Sequence, residues 1–423
     1  MTARNKTHGD LGTLTAMTKP STLTSFPSLA DIKNPLMFSR LGRGLIGFGE
    51  LLRAEFSGSN RFAEAQTWWN ELCRQAIIND EVKQPGSGLV AFGAFTFAGD
   101  SKQKSVLIIP EKVIGIGKSG TFETTVEFSR RPGGSPKLSV SESRKSISQL
   151  EWAETDVTQS RFMSLVTMVK EEIQSGLLDK AVIARDLSSA IPEGFSAGAV
   201  LKRLTEAYPD TFVFSVDGSV GASPETLASV RDQTVSVRVL AGSSPRGMNE
   251  EDDLEKARVL ATSQKDLDEH DFAVQNVIRT LQSCGVTALS EGNPFQLMLP
   301  NLWHLATDIL GVLPESSSSL QIIKSLHPTA AVAGSPTEAA LRFIELHEGL
   351  DRGRYAGPVG WVDAHGDGDW AIALRCAHID RRSHTITAYA GAGIVRESDP
   401  AKELLETELK FQPIIQAVNE AVS

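Results

Sequence analysis

The sequence has little positive charge and no long apolar run, and both absences exclude classes of protein. Its 42 lysines and arginines are outnumbered by 52 aspartates and glutamates, which gives a formal net charge of −10. Because contacts to phosphate need clustered lysine and arginine, such an acidic chain is not typical of a nucleic-acid-binding protein. No apolar stretch approaches the length of a membrane span. We therefore expect no membrane association.

Cysteine is also scarce. The three cysteines, Cys73, Cys284 and Cys376, are scattered through 423 residues. Their odd number and wide spacing indicate neither a disulfide framework nor a metal site, and this usage suits a reducing cytoplasm. The first residues contain no continuous apolar core of the signal-peptide kind. These features together predict a cytoplasmic protein.

What is present is an ordinary globular composition, 41% hydrophobic and 22% charged. Residues 1–30 are rich in threonine, serine and lysine, so we expect a disordered tail followed by a single domain over 31–423. Residues 134–146 are typical of a loop. Apolar residues recur at helical spacing in 62–77, 160–179 and 250–281, whereas strand patterns and hairpins surround them. This mixture predicts an α+β fold with antiparallel sheets and helices outside.

The motif GRGLIG, from Gly42 to Gly47, matches the dinucleotide-binding pattern G-x-G-x-x-G. That pattern requires a buried strand before it and a helix opening inside it. The preceding NPLMFSR is a weak strand at best. A glycine-rich strand or turn is therefore the favoured interpretation.

Lys180 and Glu225 are candidates for proton transfer. Lys180 opens the strand KAVIAR and shares a face with Val182 and Ala184. A lysine there is either a base, which must be neutral to act, or a strand-end residue that reaches to water. Glu225 follows Ser223-Pro224, and proline limits the backbone before it. The alternative for Glu225 is a place in the first turn of a capped helix.

Other charged residues stand in apolar or helical patterns. Glu269 is in line with Phe272, Ala273 and Val277, so it needs a cation or a metal as partner. Arg375 interrupts the apolar strand AIALRCA, where its planar group suits a carboxylate, of a ligand or of the chain itself.

A helix that begins at Pro400, with Asp399 as its N-cap, places Glu403, Glu406 and Lys410 on one face. Glu406 could simply pair with Lys410 at the i,i+4 spacing. Taken with the other candidates, these groups indicate a site for a polyanionic small molecule, most plausibly a dicarboxylate held with Mg²⁺.

Many short motifs, in order over roughly residues 170–415, resemble those of the chorismate-utilising enzymes, which include anthranilate synthase component I, isochorismate synthase and salicylate synthase. The matching segments are DKAVIAR, GASPETL, LAGSSPRG, SQKDLDEHDF, LWHLATDI, LHPTAAVAGSP, RGRYAGPVGW, IALRCA and YAGAGIVRESDPAKELLETELK. The resemblance implies two similar halves with antiparallel sheets inside and helices outside, an α/β sandwich. It implies chorismate as substrate and Mg²⁺ as cofactor.

The resemblance also implies roles for single residues. Lys180 would be the general base that activates water and Glu225 the general acid. Metal ligands would be Glu269 and Glu406, with Glu403 acting through water. Substrate-binding positions would be Gly242, Ser243, His304, Ala331, Tyr355, Arg375, Tyr389, Gly391 and Lys410, with the enolpyruvyl carboxylate at Arg375 and the Gly391 backbone.

The motifs also favour one branch. The aminodeoxychorismate branch resembles VLAGSSPRG but has a nucleophilic lysine where Ala241 stands. LWHLATDI and LHPTAAVAGSP resemble the isochorismate branch more than the anthranilate branch. We therefore expect a monomeric, Mg²⁺-dependent isochorismate synthase, an isomerase serving menaquinone or siderophore biosynthesis. The alternatives are a salicylate synthase and a non-catalytic chorismate-binding paralogue.

Overall fold

A computed structural model describes residues 12–32, 34–129, 150–290, 293–298, 302–315 and 317–422. The loop predicted at 134–146 and residues 1–11 of the predicted tail lie outside this range. Within the described part, Leu14–Ser21 forms a strand that pairs along its whole length with Thr121–Phe128. The prediction of a disordered tail is therefore wrong for these residues, whose alternate side chains at Leu14, Ala16 and Thr18 are buried.

Strands and helices are numbered in chain order. The strands are β1 Leu14–Ser21, β2 Leu36–Arg40, β3 Arg43–Phe48, β4 Leu52–Phe56, β5 Ile77–Asp80, β6 Val90–Ala94, β7 Ser105–Ile109, β8 Lys112–Ile116, β9 Thr121–Phe128, β10 Ala153–Glu154, β11 Lys180–Ala190, β12 Phe212–Val216, β13 Ser219–Ser223, β14 Thr226–Arg231, β15 Thr234–Pro245, β16 Thr287–Ser290, β17 Phe295–Met298, β18 Leu302–Val312, β19 Gly334–Ser335, β20 Pro358–Asp363, β21 Gly368–Ile372, β22 Cys376–Asp380 and β23 Thr385–Ile394. The helices are α1 Arg61–Gln75, α2 Gln159–Gln174, α3 Ala197–Ala207, α4 Glu250–Thr262, α5 Gln264–Ser283, α6 Ser319–Leu326, α7 Thr337–His347 and α8 Pro400–Val422, with a 3₁₀ turn at Leu29–Asp31.

The chain divides into two compact units. Unit 1 comprises residues 1–225, 327–364 and 371–423, and unit 2 comprises 226–326 and 365–370. Whether the whole chain is one domain, as the sequence suggested, stays a prediction. No helix among the described residues is long and apolar enough to cross a membrane.

Unit 1 contains a 13-stranded sheet with the order β10-β11-β23-β22-β13-β12-β2-β3-β8-β9-β1-β5, in which β19 also pairs with β11. Its pairings are antiparallel except for that of β1 with β5. The remaining strands of unit 1 run in the order β20-β6-β7-β4. The motif GRGLIG lies in the β2–β3 hairpin, so the interpretation as a glycine-rich strand is confirmed.

One face of the large sheet carries the core of unit 1. Small side chains on β22 and β23, namely Ala377, Ala388 and Ala390, let helices approach closely. Phe411 of α8 is 2% exposed and packs in the same cluster. Burying a side chain of this size stabilises the fold by about 1.5–3 kcal/mol. The opposite face of β11 and β23 therefore stays available for other groups.

In unit 2 the strand order is β16-β18-β15-β14, with β17 also paired to β18. The helical pattern at 250–281 resolves into two helices, α4 and α5, which meet at Ser263. The side chain of Ser263 accepts the backbone N–H of Asp266 and so begins α5. The two mainly antiparallel sheets with helices confirm the predicted α+β class.

Candidate active site

Lys180 opens β11, and the alternation of the strand places Lys180, Val182 and Ala184 on one face, as predicted. Val182 pairs with Gly393 and Ala184 with Gly391 in the neighbouring strand β23. Glycines at these positions leave room over the strand for larger groups. The face of β11 and β23 that is turned away from the core therefore carries small residues, with Lys180 at one end.

Glu225 lies between β13 and β14 and not in a helix, so the alternative of a first-turn glutamate is wrong. Its backbone is fixed on both sides. The Ser223 hydroxyl accepts the N–H of Glu225 at 3.2 Å, and the Glu225 carbonyl accepts the N–H of Ile372 at 3.1 Å. Burial raises the pKa of Glu225, and the positive charges of Lys180, Arg375 and Lys410 partly offset that rise. These charges therefore act on one carboxyl group.

Arg375 lies in the break between β21 and β22, so the expectation that it sits inside a continuous strand is wrong. Its φ is +47°, a left-handed conformation that non-glycine residues rarely adopt. The Arg375 carbonyl accepts the N–H of Ala222 at 3.3 Å, which helps hold this conformation. Burial lowers the pKa of the guanidinium, while Tyr355, Glu225 and Glu406 act in the opposite direction.

Helix α8 begins as predicted. The Asp399 carboxylate accepts the backbone N–H groups of Ala401 at 3.1 Å and Lys402 at 3.0 Å. Leu405, in the same helix, is 57% exposed.

The predicted polar face of α8 forms a connected group. The Lys410 ammonium pairs with the Glu406 carboxylate and donates to the Gly391 carbonyl at 2.8 Å. The salt bridge considered as the simple alternative for Glu406 is thus present. Burial raises the pKa of Glu403, and the nearby charge of Glu406 contributes to that rise.

Two tyrosines stack over the same face of β11 and β23. The rings of Tyr355 and Tyr389 lie 5.4 Å apart between centroids and are nearly parallel. The Tyr355 hydroxyl would lie 3.1 Å from a Cβ placed on Gly391. Gly391 and Gly393 both belong to β23. The same Cβ would lie 2.8 Å from the Ile183 carbonyl oxygen, so a residue without a side chain suits this position.

Unit 1 thus holds most of the predicted site residues. Direct contacts or interacting charges link Lys180, Glu225, Tyr355, Arg375, Tyr389, Gly391, Glu403, Glu406 and Lys410. Ala331 also belongs to unit 1 and is exposed in the segment before β19.

Unit 2 holds the remaining predicted residues. Gly242 has a φ of +74° and marks a bulge in β15 between Ala241 and Ser243. Ser243 pairs with His304 of β18, and the His304 ring is 3.3 Å from the Gly242 carbonyl. The structure therefore brings Gly242, Ser243 and His304 together around this bulge.

Glu269 does not lie on a buried stripe of α5. The residue is exposed, and Phe272, expected beside it on an apolar face, is 61% exposed. The buried side of the helix carries His270, Val274 and Leu281 instead. The apolar residues of α5 permit two overlapping helical faces, and the sequence argument chose the wrong one.

His270 is a residue that the sequence argument missed. Its ring is fully buried, with Nδ1 at 3.1 Å from the Ala241 carbonyl and Nε2 at 2.7 Å from the Thr307 hydroxyl. Burial lowers the pKa of His270. A cavity of about 320 Å³ beside α5 is lined by His270 and Thr307, and no predicted site residue lines it.

The donor set fits a hard cation only in part. Glu403 and Glu406 offer carboxylate oxygens, the ligands that Mg²⁺ prefers, and Mg²⁺ commonly keeps several waters beside one or two carboxylates. Among the residues that the structure describes, no group of three or more His, Cys, Asp or Glu side chains could hold a metal ion. The assignments of Glu269, Glu403 and Glu406 as metal ligands stay predictions.

Comparisons with known proteins show the family to which the chain belongs. The family described as chorismate binding enzyme matches residues 4–419, so the chain belongs to that family. Isochorismate synthase MenF of Bacillus subtilis is 30% identical over 405 residues, covering 88% of this chain and 85% of that protein. Anthranilate synthase component 1 of Thermococcus kodakarensis is 31% identical over 294 residues, covering 67% of each.

A solved structure supports the fold over nearly the whole chain. The putative 2,3-dihydroxybenzoate-specific isochorismate synthase DhbC of Bacillus anthracis superposes with a TM-score of 0.69 at 28% identity. The match covers 92% of this chain and 97% of that one. The predicted family and fold are confirmed.

Proposed function

We propose that this protein is an isochorismate synthase, which converts chorismate to isochorismate. One arrangement carries the proposal: the positive charges of Lys180, Arg375 and Lys410 act on the carboxyl group of Glu225, whose pKa is raised by burial. A carboxyl group that keeps its proton can act as an acid near neutral pH. The cations around it suit a substrate with two carboxylates.

The reaction requires one proton to be taken and one to be given. Water adds to C2 of the ring, and Lys180 Nζ in its neutral form takes the proton of that water. The double bonds shift, the C4 hydroxyl leaves, and Glu225 supplies the proton that converts it to water. One water enters and one leaves, so the product is an isomer of the substrate.

The remaining cations orient the substrate. The Arg375 guanidinium can bind a carboxylate through two parallel hydrogen bonds, which fixes the angle of the ring as well as its position. Lys410 is already bound to Gly391 and Glu406, so it holds the backbone of β23 beside that carboxylate. Tyr355 and Tyr389 form one wall, and both stacked side chains are buried.

Mg²⁺ fits the carboxylate chemistry of Glu403 and Glu406 and would supply positive charge for a substrate carboxylate. The contribution of Glu406 to the raised pKa of Glu403 indicates that a second positive charge at this end of α8 would be favourable. We propose Mg²⁺ as the cofactor, whereas the role of Glu269 as a metal ligand stays a prediction from the family resemblance. Several statements stay predictions. They are that the product serves menaquinone or siderophore synthesis, that the protein is cytoplasmic and monomeric, and that it has no nucleic-acid or membrane partner.

The test is incubation of the purified protein with chorismate and Mg²⁺, followed by chromatography of the products, with and without an ammonium salt. Isochorismate supports the proposal. Salicylate with pyruvate would indicate a salicylate synthase, anthranilate in the ammonium sample an anthranilate synthase, and unchanged chorismate a non-catalytic binder.

Two variants refine this test. Lys180→Ala should remove turnover while it leaves chorismate binding largely intact. The exposed Lys202 of α3 provides the matched control, since Lys202→Ala removes a charge of the same kind outside the site. Turnover retained in Lys180→Ala would refute the base assignment.

A further inference from the structure

Unit 1 contains a buried ion pair outside the group described above. Glu348 and Arg352 have side chains that are 0% and 2% exposed. Arg352 Nε donates to Glu348 Oε1 at 2.7 Å, and Arg352 Nη2 donates to Oε2 at 2.6 Å. The guanidinium also lies 4.5 Å from the centre of the Phe97 ring. A buried pair is costly to desolvate unless further hydrogen bonds satisfy it.

Those further bonds go to backbone groups. Arg352 Nη2 donates to the Val182 carbonyl at 2.6 Å, and Arg352 Nη1 donates to the Val332 carbonyl at 2.9 Å. Glu348 Oε2 accepts the N–H of Ala184 at 2.8 Å. The pair therefore holds two separate segments, β11 and the segment that precedes β19.

The bonds to β11 replace a missing neighbouring strand. On this edge β11 pairs with β19 at Lys180 and Ala181, and with β10 at Leu187 and Ser188. Between these places no strand among the described residues covers the edge. The N–H of Val182 is accepted by the Ala333 carbonyl at 2.9 Å, and the Arg352–Glu348 pair satisfies the next two edge groups. Buried backbone groups need such partners.

This edge is the part of β11 that carries Lys180. Val182 and Ala184 share its face and follow it by two and four residues. Val332, whose carbonyl accepts from Arg352, directly follows Ala331, which was predicted to contact substrate. The planar guanidinium of Arg352 binds the Val182 and Val332 carbonyls at once, whereas a lysine ammonium on a flexible chain would not fix the directions of both hydrogen bonds.

We propose that Glu348 and Arg352 are positioning residues that hold the β11 edge so that Lys180 points at the reacting water. The proposal rests on the proposed function, since it assigns a consequence to the base. It differs from a purely structural role, in which the pair supports folding and the folded enzyme has full activity. Small displacements of a base lower turnover strongly even where binding persists.

The experiment compares Arg352→Lys with Arg354→Lys. Arg354 is the matched control because it is also buried and also binds backbone, donating to the Lys104 carbonyl at 2.7 Å and the Asp217 carbonyl at 2.8 Å. Glu348→Gln serves as the second variant if Arg352→Lys does not fold. For each protein we would measure the melting temperature, kcat and KM with chorismate and Mg²⁺, and amide hydrogen exchange at Ala184.

The expected result for Arg352→Lys, or for Glu348→Gln, is a kcat at least 10-fold lower and a KM within about threefold of the wild type. Exchange at the Ala184 amide should be at least 10-fold faster. Arg354→Lys should keep kcat within about twofold. A kcat within twofold in a folded Arg352→Lys or Glu348→Gln would overturn the positioning role, and unchanged exchange at Ala184 would overturn the hold on β11.

Failure of the proposed function would be visible separately. If the wild type does not turn over chorismate, the role toward the base is overturned together with the function. Exchange at Ala184 needs no substrate, so it still decides whether the pair holds the strand.

Discussion

The amine of Lys180 lies directly over the backbone of Gly393 in the adjacent strand. A Cβ placed on Gly393 would be 2.7 Å from Lys180 Cε and 3.4 Å from Nζ. The first distance is too short for two carbon atoms, so the lysine occupies the space that any other residue would fill. Gly393 therefore helps to orient the proposed base. Glycine is needed here because there is no space for a Cβ, and not because of its backbone conformation.

Gly393→Ala should displace the Lys180 side chain and lower kcat at least 10-fold, because a base that is moved by an ångström loses most of its effect. Since the added methyl meets a flexible side chain, the melting temperature should change little. Steady-state kinetics and thermal unfolding check both points. A variant with wild-type kcat would show that Lys180 adapts without loss, and the importance of its position would be refuted.

Glu225→Gln tests the raised pKa of the proposed acid. The folded pKa lies above the unfolded value because burial dominates over the neighbouring cations. The contribution of Glu225 to the free energy of unfolding is therefore greatest at low pH. It falls as pH rises through the ordinary glutamate pKa toward the raised pKa of the folded state. The melting temperature of Glu225→Gln minus that of the wild type should increase with pH from 4 to 8.

Activity gives a second test of the same group. Glu225→Gln should lose the isomerisation, since the amide has no proton to give to the leaving hydroxyl. In the wild type, kcat should fall on the alkaline side as Glu225 ionises. A difference in melting temperature that does not vary with pH would contradict the raised pKa, and a fully active amide variant would contradict the role as acid.

Arg375 combines backbone strain with a functional side chain. A left-handed conformation costs a non-glycine residue about 1–2 kcal/mol, whereas glycine adopts it freely. Arg375→Gly and Arg375→Ala should both raise the KM for chorismate at least 10-fold, because both lose the guanidinium. Arg375→Gly should however be more stable than Arg375→Ala by about 1 kcal/mol, as measured by urea unfolding. Equal stabilities would show that the backbone relaxes when the arginine is removed.

The sequence predicted most of the residues that the structure brings together in unit 1, but not how they are held. Lys180, Glu225 and the face of α8 were found because charged residues interrupt apolar or helical patterns, and the family resemblance assigned their roles. Arg375 was recognised as a charged residue within an apolar pattern, but the break between β21 and β22 in which it lies was not predicted. A left-handed arginine has no local signal, because the contact to Ala222 that supports it comes from residues far away in the chain.

The error at Leu14–Ser21 and the omission of the Glu348–Arg352 pair share one physical cause. Leu14–Ser21 has a polar composition, yet its pairing with Thr121–Phe128 makes it a strand. Pairing partners distant in the chain, and not local composition, decide such a segment. The Glu348–Arg352 pair escaped notice for a similar reason: a glutamate and an arginine four residues apart are typical of an exposed helix, and only the fold buries them.

His270 offers a test within unit 2. Its neutral ring is satisfied on both sides, since Nδ1–H donates to the Ala241 carbonyl and Nε2 accepts the Thr307 hydroxyl. His270→Phe keeps a ring but leaves both partners unpaired, each at a cost of about 1–3 kcal/mol. We expect it to lower the free energy of unfolding by about 2–5 kcal/mol, whereas Asp271→Asn, at an exposed place on the same helix, should change it by less than about 0.5 kcal/mol.

The pH dependence of His270 has a definite sign. Burial lowers its folded pKa below 6.5, so the folded protein holds the neutral ring while the unfolded chain takes up a proton. Its contribution is therefore complete above pH 6.5 and is lost as pH falls through 6.5 toward the lowered value. Between pH 7.5 and 5.5 the wild type should lose more stability than His270→Gln in urea unfolding. The same loss in both proteins would show that the ring is protonated as readily in the folded state as in the unfolded one, and that it does not hold the bulge of β15 in its neutral form.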